Sequence, residues 1–256
     1  MDADRRARPR RILLFGLVIL MSAGTASLGV WQLRRLAARR AVNRAALTGR
    51  ELPRLLPQGT GHPRLSPNRR VLLRGKLDEA REFVLRGRLL RGIPAVLIVT
   101  PLRLTGSDTA VLLNRGYVPA PDAVDPGAAT WSEQGRSDFP GVLLDLPDRG
   151  DGEPLLHRGR ETWHSLDRTA MAARLPYPIA AMYLVVEPDS ADGNAHTVQG
   201  TVYPFRAEPP EMDDGPHLMY AIQWFGISVA MVAFGWLFIW RGKTPGGSMP
   251  VDGPSG

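Results

Sequence analysis

The chain contains no cysteine. Disulfides, thiolate metal sites, CxxC redox chemistry and thiol nucleophiles are therefore excluded. A large domain without cysteine is held by its core alone, and roughly 180 residues can do that. No internal repeat is visible, and no HExxH, GxSxG or SxxK stretch occurs. Basic residues are not interleaved with aromatic stacking residues, which argues against nucleic-acid binding. Arginine supplies almost all of the positive charge, within a formal net charge of +7. Much of it crowds beside two long apolar stretches, as expected for charges that set membrane orientation.

Charge is missing altogether from Ile12 to Val30 and from Leu218 to Trp240. At 1.5 Å per residue, the first run is about 28 Å long as a helix and matches a hydrocarbon core of about 30 Å. The second is longer and spans with some tilt. Arg5, Arg6, Arg8, Arg10 and Arg11 precede the first run, Trp31 closes it, and Arg34 and Arg35 follow. The rival reading is a cleaved signal peptide, with Ile12 to Met21 as its apolar region and Ala23 to Ala26 as its cutting site. Against it, the apolar run continues past that site. The organisation predicted is a basic cytoplasmic N-terminus over 1–11, a first span over 12–31 and a β-rich extracytoplasmic domain over 32–216. A second span over 218–240 and a disordered cytoplasmic tail over 241–256 complete it. Positive charge on both flanks of the first span leaves the orientation to the dominance of the first helix and to the ease with which long loops cross.

Between the spans, Trp31 to Leu47 reads as a helical extension rich in Ala, Leu and Arg, and Glu51 to Asn68 as a proline-rich linker. Short Val- and Leu-rich runs predict strands at Val71–Leu77, Glu82–Leu85, Ala95–Val99, Ala110–Asn114, Gly141–Leu146, Ala180–Glu187 and Thr197–Tyr203. Asp167 is the expected N-cap of one short helix that Pro176 stops. The fold class is thus a membrane protein with two helices flanking a β-rich α+β domain, mostly an antiparallel sheet or barrel. Asn114-Arg115-Gly116 reads as a strand-to-turn junction with a solvated or salt-bridged arginine, the alternative being a contact with a partner.

The histidines are His62, His157, His164, His196 and His217. His157 and His164 flank Glu161, but their spacing matches no regular helical pair of metal ligands. His217 differs by its depth, at the start of the second span. Tyr220 at i+3 and Trp224 at i+7 share its helix face. This face suits either a flat, apolar iron cofactor such as a haem or ordinary interfacial anchoring.

Several stretches, in order, resemble the Surfeit-locus-one family of cytochrome c oxidase assembly factors. Leu28-Gly29-Val30-Trp31-Gln32-Leu33-Arg34-Arg35 is similar to its signature at the exit of the first helix. Val71 to Leu77, Val99-Thr100-Pro101-Leu102 and Leu113-Asn114-Arg115-Gly116-Tyr117-Val118-Pro119 resemble its strands, with Tyr117 where the family usually has Trp. Trp163 with Leu166-Asp167 resembles the approach to its short helix. His217-Leu218, Tyr220-Ala221 and Trp224-Phe225 resemble its entry to the second helix, although Gly215-Pro216 departs from the residues usual before the histidine. The resemblance implies a non-enzymatic assembly factor that assists haem a delivery or retention at the catalytic subunit of the oxidase. The haem a synthesis machinery is a further partner, and membrane lipid surrounds the spans. It implies His217 as a haem-iron ligand, with Tyr220 and Trp224 beside it. Arg34 or Arg35 at interface depth would pair with haem propionates. The Ala/Arg/Gly/Leu-rich composition suits a GC-rich bacterium, so the expected location is the bacterial cell membrane. The alternative is a membrane-anchored interaction module serving another complex without haem.

Overall fold

The computed structural model describes residues 2–56, 66–127, 131–133, 135–188, 196–198 and 201–241. His62, half of the predicted proline-rich linker, positions 199–200 and the C-terminal tail from 242 onward lie outside these residues. The chain forms two compact units, residues 1–43 with 213–256, and residues 44–212.

The element order is α1 (Asp2–Glu51), β1 (Arg70–Leu77), β2 (Phe83–Leu90), β3 (Ile93–Leu104), β4 (Ala110–Pro119), β5 (Asp138–Asp145), β6 (Leu155–His157), β7 (Arg160–Trp163), α2 (Arg168–Ala172), β8 (Ile179–Val186), β9 (His196–Val198), β10 (Thr201–Tyr203) and α3 (His217–Arg241). The first apolar run and its predicted extension are one helix, because nothing between Ile12 and Leu47 breaks helical geometry. Two helices, from Ile12 onward in α1 and His217–Phe238 in α3, are long and apolar enough to cross a membrane. Only 11% and 6% of their most apolar windows are buried in the protein, unlike the core helix of a soluble domain. Leu13, Leu20, Val229, Phe234 and Phe238 all point outward. Such surface is disfavoured in water by roughly 25 cal/mol per Å².

In the second unit, β1, β5, β8, β4 and β3 follow one another in the sheet, and β3 returns to pair with β1. Five strands thus close on themselves as a small barrel. Closure depends on the length of β3, whose first half pairs with β2 while Leu102–Leu104 pairs with β1. The strand alternation is readable residue by residue. Val71, Leu73, Val111, Leu113, Phe139, Leu143, Leu184 and Val186 form one cluster. Leu112 and Val185, pointing the other way, join Phe83, Leu97, Trp163 and Met171 in a second. Both faces of β4 are therefore covered, which explains why it is buried along nearly its whole length. Most pairs are antiparallel, as expected from the sequence, but β2–β7 and β4–β8 are parallel. Asp167 caps α2 by accepting from Ala170 N at 2.8 Å.

The β6–β7 hairpin was not foreseen. It turns at Arg158 (φ +49°) and Gly159 (φ +82°), in the stretch that carries the paired histidines. His157 faces Asp122 at 3.2 Å, His164 is exposed, and no metal-binding cluster occurs among the described residues.

The reading of Asn114-Arg115-Gly116 as a turn junction is corrected. β4 runs on to Pro119, and the pairing jumps from Val99↔Asn114 to Ile98↔Gly116. Arg115 is the extra residue of a β-bulge. Gly116 there has φ +121°, and a Cβ would collide with the Phe205 carbonyl, which pairs with Tyr117. The bulge directs Arg115 inward, where it is fully buried. Its guanidinium donates to Glu133 Oε2 at 2.7 Å, Glu82 Oε2 at 3.1 Å, Thr100 Oγ1 at 3.2 Å and the Trp131 carbonyl. Arg206 donates to the Arg115 carbonyl at 2.8 Å and pairs with Glu133. Arg136 adds a bond to Glu133 at 3.0 Å.

The two inner carboxylates respond in opposite directions. Burial pushes Glu82 above its ordinary value of 4.5, and Arg115 only partly offsets this. Burial also opposes ionisation of Glu133, but Arg206 and Arg115 outweigh it and hold that carboxyl below 4.5. Glu133 therefore contributes stability that is present above pH 4.5 and lost as pH falls through its folded value. Glu82 contributes stability that is present below pH 4.5 and lost as pH rises through its own. Glu133→Gln is expected to flatten the acid-side loss below pH 4.5, and Glu82→Gln to remove the gain that precedes it. Urea midpoints of the β domain, followed by tryptophan fluorescence across pH 3 to 7, check both (a range of about four units, wide against the ordinary scatter of carboxylate values).

Candidate functional site

The first unit is an antiparallel helix pair. Contacts fall at Val18 with Gly235, Ser22 with Ser228, Gly29 with Phe225 and Gln32 with His217. On α1 the buried positions Ser22, Gly29, Leu36 and Asn43 recur every seven residues. That period is the seam of two helices packed at a shallow angle. Small side chains let the backbones approach, as favoured where lipid supplies no hydrophobic drive. A Cβ on Gly29 would come within 2.8 Å of the Phe225 ring. The hydroxyls of Ser22 and Ser228 lie 2.7 Å apart and each lies 3.0 Å from the other's carbonyl oxygen, so one donates to its partner hydroxyl while the other donates to a carbonyl.

Above the apolar stretch the seam turns polar. Arg40 Nε donates to Asp214 Oδ2 at 2.8 Å, and Asn43 Nδ2 donates to the Asp213 carbonyl at 3.1 Å and to Asp214 Oδ1 at 3.3 Å. Arg39 Nε reaches the same Asp213 carbonyl at 3.2 Å. The hydrogen bond from Arg40, more than any other group, holds the Asp214 carboxyl below its ordinary range. These bonds tie the turn before α3 to α1. Gly215 makes the turn at φ +73°, and the Pro216 carbonyl accepts from Tyr220 N at 3.1 Å, so Pro216 opens the helix.

At this junction lies a cleft of about 450 Å³ lined by Arg35, Arg39, Ala38, Val42, the Asp213–Gly215 turn and His217. His217 is half-buried, and its Nδ1 lies 2.9 Å from Gln32 Oε1. Of the residues the sequence singled out, His217 and Arg35 meet at the cleft. Arg35 also lies 5.5 Å from the centre of the Trp31 ring. Arg34 is exposed and off the lining. Tyr220 is exposed and Trp224 half-buried, and neither lines the cleft. Sequence reading passed over Gln32, Arg39 and Asp214. The seven-residue spacing of Ser22, Gly29, Leu36 and Asn43 was the available signal, since Gln32 lies on the same face.

The residues present suit an iron porphyrin in kind. An imidazole can offer a nitrogen to iron, two guanidiniums can meet carboxylates, and Ala38 with Val42 gives an apolar wall. The cleft volume falls within the range of small-molecule sites.

The model of the SURF1 family matches residues 19–229, which include the whole β domain, α1 from position 19 onward and the first half of α3. The chain belongs to the SURF1 family. Among its relatives, a SURF1-like protein of Monosiga brevicollis is 25% identical over 146 residues, 57% of this chain and 52% of that one. Surfeit locus protein 1 of Rattus norvegicus is 26% identical over 187 residues, 73% of this chain and 57% of that one. A SURF1-like protein of Mycobacterium tuberculosis is 28% identical over 210 residues, 79% of this chain and 73% of that one. The chain thus spans little more than half the length of the first two relatives.

Proposed function

We propose that this SURF1-family protein is a membrane-anchored assembly factor for a haem a/copper terminal oxidase, and that it assists haem a delivery or retention at the catalytic subunit. In this reading α1 and α3 span a bacterial cell membrane, the termini lie in the cytoplasm, and the β domain faces outward to dock on the oxidase. The observation that carries the haem role is the half-buried His217 at the cleft, hydrogen-bonded through Nδ1 to Gln32.

His217 presents its other nitrogen to iron. Arg35 supplies a guanidinium to a propionate, and Arg39 stands beside it in the lining. Arg34 is the weaker candidate for that task, since it lies off the cleft. The apolar sides of α1 and α3 keep a hydrophobic haem tail out of water. Tyr220 and Trp224 contribute amphipathic surface at interface depth. Haem supplies only the iron and its ligand-exchange chemistry, and the protein supplies position.

Protein purified from haem a-producing cells is expected to carry the pigment. His217→Ala is expected to lose most of it while keeping the helix pair, because the Ser22–Ser228 and Arg40–Asp214 contacts remain. Pyridine haemochrome content per chain measures this, and a full complement in the variant would remove His217 from the site.

A further inference from the structure

We infer that Gln32 is a positioning residue for His217: by accepting the Nδ1 proton it fixes the imidazole tautomer that leaves Nε2 free to bind iron. The inference rests on the haem reading above and deepens it.

Three observations converge. Gln32 Oε1 lies 2.9 Å from His217 Nδ1, joining residues 185 apart in the chain across the helix pair. Among the described residues Nε2 has no hydrogen-bond partner. Its neighbour is Gly215, a lining residue of the cleft, where a Cβ would stand 3.6 Å from Nε2. The ring is thus held at one nitrogen and open at the other, beside the cleft.

A neutral imidazole carries one N–H and one lone pair. An amide oxygen facing Nδ1 places the proton there and the lone pair on Nε2. Iron binding then forms one Nε2–iron bond, releases no proton from the ring and leaves the Nδ1–H···O bond intact. That outer bond orients the ring and raises the basicity of the ligating nitrogen. A leucine at 32 fills similar space but accepts nothing. The ring is then free to rotate or to carry its proton on Nε2.

The rival account treats Gln32–His217 as adhesion between helices, like Ser22–Ser228. Full-length chain in nanodiscs, titrated with haemin and then reduced with dithionite, separates the two. One readout is affinity from the Soret band. The other is the iron–histidine stretching band in resonance Raman spectra, which responds to hydrogen bonding at the distant ring nitrogen. Gln32→Leu is expected to weaken haemin binding by roughly 10- to 100-fold and move the band to lower frequency. Gln32→Glu, a stronger acceptor, is expected to retain binding and move it to higher frequency. Ser22→Ala, which loosens the same helix pair, is expected to change neither. Unchanged affinity and band in Gln32→Leu, or equal losses in Ser22→Ala, would overturn the inference. Wild-type binding by His217→Ala would instead remove the haem-ligand reading itself, and the inference with it.

Discussion

Arg115→Ala is expected to destabilise the β domain by about 3–5 kcal/mol, the range seen when one partner of a buried ion pair is removed. The guanidinium is fully buried and bonds directly to Glu133, Glu82, Thr100 and the Trp131 carbonyl. Its loss leaves Glu82 without its main cation in surroundings that already disfavour the charge. Glu133 keeps Arg206 and Arg136, so the damage concentrates on Glu82 and on the emptied volume. Against a typical total of about 5–15 kcal/mol, such a loss removes a large share of the stability and raises the unfolded fraction by roughly several hundredfold or more. Arg115→Met with Glu82→Gln is expected to recover part of it, since volume is kept and the stranded charge removed. Urea midpoints of the three proteins test this. A change in Arg115→Ala within about 0.5 kcal/mol would mean that water reaches the cluster and that the charges are not sealed in.

The behaviour of this arginine shows where sequence reading stops. Arginine is almost never fully buried unless paired. Here its partners Glu133 and Glu82 lie 18 and 33 residues away. Only the bulge at Asn114-Arg115-Gly116, a feature of pairing register, turns the side chain inward. No local pattern announces it, and the same stretch is naturally taken for a turn.

The two apolar helices were legible because absence of charge over about 20 residues has few other causes. Most strands were legible as short runs rich in Val and Leu, bounded by Gly, Pro, Asp or Asn. β6 and β7 were not. They are three and four residues long, and Arg160-Glu161-Thr162-Trp163 has little apolar alternation to read. Barrel closure through β1 and β3 was equally hidden, since it depends on which partner each half of a long strand selects.

At the candidate site the sequence singled out His217 by depth and Arg35 by charge, and the cleft contains both. Helix periodicity placed Tyr220 and Trp224 on the face of His217. It does not resolve which part of that face meets α1. His217 meets Gln32, whereas Tyr220 is left exposed. Gln32 escaped notice because its partner lies on the far side of the β domain in sequence.

Deletion of the gene is expected to have the largest effect on the cell. If the chain assists haem a at the oxidase, the reduced-minus-oxidised spectrum of membranes from the deletion strain lacks most of its haem a band. The b- and c-type cytochromes keep theirs, because their haems do not pass through this step. The wild-type gene restores the band, and His217→Ala restores little of it. The Arg115→Ala gene also restores little, but for a different reason: its protein is depleted from the membrane, whereas His217→Ala protein accumulates normally. Immunoblots on the same membranes separate loss of the protein from loss of the site. A deletion strain with no second copy of the gene, an unchanged haem a band and normal oxidase activity would contradict the account.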